Sequence, residues 1–161
     1  MIVVSDTSPL NYLILIHAID LLPRLFSEIY VPTEVMEELK RSRAPELVKT
    51  WAQSPPQWLR IATPTIAITT SIRLDPGEVQ AIALAKELQA DAILIDERKG
   101  WRVASEHGLN AVGTLNVLEF AAERKLLDLR PALEALRRTT FYITDEYIAA
   151  ALQRDSARKG Q

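Results

Sequence analysis

Five acidic residues stand where carboxylates can do chemistry: Asp6, Glu38, Glu78 and the adjacent pair Asp96 and Glu97. Asp6 closes the run Ile2-Val3-Val4, and Asp96 closes Ala92-Ile93-Leu94-Ile95. Both runs are apolar without alternation, as in strands buried on both faces. A parallel sheet puts the carboxyl ends of its strands on one edge, where ligands bind and following helices begin. Glu78 stands near a helix start and can reach the same edge. A cluster of hard oxygen donors with no cysteine suits Mg²⁺ or Mn²⁺. Such a cation orients a phosphate, acidifies a bound water and stabilises a leaving oxygen. Without it, neighbouring carboxylates repel one another and raise each other's pKa. The implied chemistry is that of a metal-dependent nuclease.

Each residue also has a structural role open to it. Asp6 can help cap the next helix. Ser8-Pro9 reads as an N-cap followed by proline at the first helical position. Thr7 and Ser8 can instead orient a carboxylate or a bound water. Glu34, Glu37 and Glu38 share one and a half turns, so a solvated face explains most of that charge, and either Glu37 or Glu38 remains a candidate. Glu78 falls at N3 of a capping box opened by Asp75, with Pro76 at N1. Arg98, Lys99 and Arg102 follow the late acids and can meet substrate phosphates, or simply face solvent. The three tryptophans read as core or rim.

The 161 residues make one domain, 1–161, long enough to bury a real core. The net charge of −2 gives no bulk attraction for nucleic acid, though it permits an acidic cation pocket with local basic groups. With no cysteine, disulfides and thiolate metal sites are excluded. Residues 9–22 are apolar-rich but interrupted by Asn11, His17 and Asp20, too short and broken to span a membrane. No targeting segment is evident, and a cytoplasmic location is the expectation. There is no phosphate-cradling G-x-x-x-x-G-K loop, no G-x-G-x-x-G and no G-x-S-x-G elbow.

Strand and helix patterns alternate along the chain. Strands are expected at 2–4, 28–31, 58–62, 92–95 and 111–112. Helices are expected at 9–17, 19–26, 33–41, 45–52, 75–88, 99–107, 115–125, 131–139 and 144–154, with Gly108 as a C′ glycine. Residues 63–74 have no clear period and read as loop or edge extension. The fold class is therefore α/β with a mainly parallel sheet between helical layers.

With these elements in place, the chain resembles the PIN-domain superfamily, and most closely its VapC-related branch of small proteins. The resemblance rests on V-S-D-T-S-P-L at 4–10, V-P-T-E-V-M-E-E-L at 31–39, G-E-V-Q-A-I-A-L-A at 77–85, L-I-D-E-R-K-G at 94–100, G-T-L-N-V-L at 113–118 and I-T-D-E-Y-I-A-A-A-L at 143–152. It implies a three-layer α/β/α sandwich and a Mg²⁺- or Mn²⁺-dependent ribonuclease, often the toxin of a toxin–antitoxin pair. RNA substrate, a cognate antitoxin protein and a homodimer are the implied partners. Asp6, Glu38, Glu78 and Asp96 take the catalytic positions, and Asp6, Glu78, Asp96 and Glu97 the metal-binding ones, either of the last two being the aligned acid. Thr7, Ser8, Arg98 and Lys99 are the expected substrate contacts. Glutamate stands at 78 where many relatives have aspartate, and Leu94-Ile95 replace the usual Thr or Ser before the last acid. The alternative is a non-catalytic PIN-like module that binds RNA or a protein partner.

Overall fold

A computed structural model describes residues 1–160. The strands are β1 (Ile2–Ser5), β2 (Glu28–Pro32), β3 (Leu59–Ala62), β4 (Ala92–Leu94) and β5 (Ala111–Val112). Between and after them run α1 (Thr7–Leu15), a 3₁₀ turn at Ile19–Leu21, α2 (Leu22–Leu25), α3 (Thr33–Leu39), α4 (Glu46–Gln53), α5 (Pro76–Leu88), α6 (Arg98–Glu106), α7 (Thr114–Glu123), α8 (Leu129–Arg137) and α9 (Asp145–Arg158). The five strands form one parallel sheet in the order β3-β2-β1-β4-β5. The chain first winds outward through β2 and β3, then returns to the other side of β1 with β4 and β5. The switch point of the sheet therefore lies between β1 and β4.

Alternation along the strands divides the core. Val3, Ala92 and Leu94 face a large cluster with Leu10, Leu13, Val117, Leu118, Leu133 and Ala151 from α1, α7, α8 and α9. Val4, Ile93 and Ile95 face a smaller cluster with Ala81, Ile82, Ala85, Val103 and Ala104 from α5 and α6. This is the expected α/β/α sandwich. Small residues on α5 let it lie close to the sheet, and that closeness brings Glu78 to the edge.

Two local expectations are corrected. α1 begins at Thr7, one residue after Asp6, so Ser8 lies inside the first turn and is not the cap. The last helix continues to Arg158 because Ala151 and Leu152 still pack on the core and Asp155 is paired with Arg158 and Lys159. Gly108 does close α6, with φ +75° in the left-handed region that glycine enters freely. Residues 63–74 form no strand or helix.

A candidate metal centre at the carboxyl edge

Asp6 and the Asp96–Glu97 pair follow β1 and β4, the two strands that flank the switch point. A cavity of about 260 Å³ opens there, and Asp6, Glu38, Asp75, Glu78 and Glu97 line it together with Thr7 and Ser8. Four separate parts of the chain supply these acids, which answers whether they converge.

Asp6 is almost fully buried, and its N–H donates to the Leu94 carbonyl at 2.8 Å, extending the β1–β4 ladder past its end. Burial pushes its carboxyl up to about 7. A hydrogen bond from the Thr7 backbone opposes that push, and the charges of Glu78, Glu38 and Asp96 add to it. Glu38 is half-buried on α3, whereas Glu37 points to solvent. Thr7 Oγ1 donates to Glu38 Oε2 at 2.6 Å. Its other oxygen lies on the backbone of Gly77, where a Cβ would stand only 2.7 Å from Oε1.

Glu78 is buried at the start of α5. Its Oε1 accepts the Asp75 N–H at 3.2 Å, the contact expected of a capping box. Its Oε2 is buried with no hydrogen-bond partner. That oxygen lies over Gly100, where a Cβ would stand 2.6 Å away. Burial raises the Glu78 pKa, and the charges of Asp75, Glu97 and Glu38 push the same way. Capping thus explains one carboxylate oxygen and leaves the other without a structural purpose.

The adjacent pair divides its labour. Asp96 Oδ1 accepts the Thr114 N–H at 2.7 Å, and Oδ2 accepts both Thr114 Oγ1 at 2.7 Å and Ser8 Oγ at 2.8 Å. It ties the starts of α1 and α7 to the end of β4, and it does not line the cavity. Glu97, in the N-cap position of α6, is exposed and does line it. Arg98 and Lys99 lie on the exposed first turn of α6, do not line the cavity, and make no ion pair among the described residues.

The donor set fits a hard divalent cation. It consists of carboxylate oxygens, one of them buried and orphaned, and its innermost member is costly to ionise without a counter-charge. Among the described residues, no three His, Asp or Glu side chains are already drawn tightly enough together to hold an ion. Closing the set falls to the long arms of Glu38 and Glu97, which are not fully buried. Thr114 is the site residue that sequence reasoning missed. Its signal was a position just after β5, whose carboxyl end shares the same sheet edge.

The PIN-domain family profile DUF3368 matches residues 2–157. No curated protein matches the chain. Among solved structures, the chain is similar to a PilT N-terminus domain protein from the archaeon Sulfolobus solfataricus P2. Identity is 14%, with 89% of this chain and 100% of that chain covered, at a TM-score of 0.48. No helix among the described residues is long and apolar enough to cross a membrane. A family match across nearly its whole length shows that this chain belongs to the PIN-domain family, whose members are commonly nucleases.

Proposed function

We propose that the chain is a Mg²⁺- or Mn²⁺-dependent endoribonuclease acting in the cytoplasm. On the resemblance of its motifs, it is the toxin of a toxin–antitoxin pair, a homodimer countered by a cognate antitoxin protein. The observation that carries the catalytic reading is the orphaned, buried Oε2 of Glu78 within a pocket of carboxylates. A buried polar atom without a partner is costly, and a folded protein keeps one where a ligand completes it.

Asp6 and Glu78 are the inner residues that would hold the cation, joined by Glu38 and Glu97. A divalent cation held there would neutralise charge on a phosphate and lower the pKa of a water. If it does not hold the cation, Glu38, steadied by Thr7 Oγ1, would be the base that takes a proton from the attacking water. Hydrolysis forms a bond from the water oxygen to phosphorus and breaks the bond to the 3′-oxygen, leaving a 5′-phosphate and a 3′-hydroxyl. Asp96 is a positioning residue, since its bonds to Ser8 and Thr114 set where the two helix starts meet the cavity.

The test is cleavage of an end-labelled mixed RNA pool with Mg²⁺ or Mn²⁺, comparing the wild type with Glu78→Gln. The substitution keeps the shape and the hydrogen bond to Asp75 while removing the charge. Metal-dependent cleavage that falls by more than the ~10–100-fold typical of losing a supporting contact is expected. Equal cleavage by both proteins would place the activity elsewhere. No cleavage by either would favour a binding module.

A further inference from the structure

Asn11 interrupts the apolar run of α1, where Pro9, Leu10, Leu13 and Ile14 are buried around it. Asparagine suits a helix interior poorly, because its amide competes with the backbone for hydrogen bonds. Here the amide has no such competing bond. Although half-buried, the Asn11 side chain has no hydrogen-bond partner among the described residues. Neither the helix nor the core explains it, so the explanation lies in what it borders.

Asn11 lines the carboxylate cavity. The acids there offer only acceptors once ionised. The hydroxyls that share the lining are already engaged. Thr7 Oγ1 donates to Glu38 at 2.6 Å, Ser8 Oγ donates to Asp96 at 2.8 Å, and the Tyr12 hydroxyl shares a hydrogen bond of 2.9 Å with Thr140 Oγ1. Asn11 is thus the one lining side chain whose donor atoms are wholly unengaged among the described residues. A phosphate oxygen is itself an acceptor, so within a wall of carboxylates it needs a donor as well as a cation. With Thr7 and Glu38, Asn11 also lines an adjoining cavity of about 330 Å³. Arg43 lines that second cavity, exposed and without an ion pair among the described residues. An anionic chain leaving the carboxylates past Asn11 therefore meets a free cation next.

We infer that Asn11 is a substrate-contacting residue whose Nδ2–H donates to a non-bridging oxygen of the scissile phosphate. It takes no part in bond making or proton transfer. It holds the phosphate against the repulsion of the carboxylates and stabilises the charge that gathers on that oxygen as water adds. This inference rests on the ribonuclease reading and adds to it a residue outside the acidic set.

The test compares the wild type with Asn11→Leu and Asn11→Asp, which are close to asparagine in size. Three quantities are measured on each: RNA cleavage kinetics, Mn²⁺ binding by the metal-free protein, and the melting temperature. Leucine removes both ends of the amide, whereas aspartate keeps an oxygen and removes the donors. In Asn11→Leu, kcat/KM should fall by about 10- to 100-fold while Mn²⁺ affinity is unchanged. Asn11→Asp should lose at least as much, because its carboxylate repels the phosphate, and its Mn²⁺ affinity should be no lower than that of the wild type. If Asn11→Leu melts too early to be assayed, Asn11→Asp carries the test alone. Cleavage by the folded variants at the wild-type rate would overturn the inference and leave the ribonuclease reading standing. So would a loss of Mn²⁺ affinity in Asn11→Leu that Asn11→Asp restores together with cleavage, since the side chain would then be a metal ligand through its oxygen. No cleavage by the wild type would overturn the ribonuclease reading, and this inference with it.

Discussion

Asp6→Asn should abolish metal-dependent cleavage and, in the same protein without metal, raise the melting temperature at pH 8. The reason is the energetic state of that carboxylate. Its ordinary pKa of 3.8 rises to about 7 in the folded chain. Between those values the unfolded chain carries the charge freely, whereas the folded one holds the proton. Folding therefore loses stability as pH rises from about 4 to about 7, and the loss is constant above that. If the whole shift is expressed, the cost is on the order of 4 kcal/mol. Asparagine keeps the size and cannot ionise, so it escapes the cost. A chain of this length shifts by about 2–4 °C per kcal/mol, so a gain of several degrees at pH 8 is expected, shrinking towards zero near pH 4. Saturating Mn²⁺ should reverse the order, because only the wild type gains binding energy in the folded state. Parallel melting of the two proteins from pH 4 to pH 8 would contradict this account of the site.

The second large effect separates two neighbouring residues. Asp96→Ala should destabilise the fold by about 3 kcal/mol, lowering the melting temperature by roughly 10 °C. It removes the acceptor of three hydrogen bonds and leaves the Thr114 N–H, an unpaired donor at the start of α7, without its partner. Glu97→Gln should leave stability within about 0.5 kcal/mol, since Glu97 is exposed, but raise the Mn²⁺ concentration needed for half-maximal cleavage. Thermal melts and metal titrations of the two variants check both halves. Stability lost at 97 rather than at 96 would reverse the assignment.

That division could not be read from the chain, and the reason is physical. Buried strands ending in acids were legible because Val3, Val4, Ile93 and Leu94 are apolar on both faces and the acids follow at once. The α5 start was legible through Asp75, Pro76 and Glu78, whose capping chemistry is local. The difference between Asp96 and Glu97 is set by Thr114 and Ser8, partners 18 and 88 residues away from Asp96, and no local pattern encodes such pairing. The choice between the two roles open to Ser8 was hidden for the same reason: its hydroxyl orients the Asp96 carboxylate rather than capping its own helix. Glu78 had a complete local explanation for one oxygen, and only the packing against Gly100 exposes the other as unpaired.

The central claim, that these carboxylates form a divalent-cation site, is tested most directly by titrating the metal-free protein with Mn²⁺ and counting bound ions. The account predicts saturable binding at this site, reduced at least tenfold in affinity by Asp6→Asn and by Glu78→Gln, with both variants folded. Undiminished binding in both variants, or no saturable binding by the wild type, would contradict it.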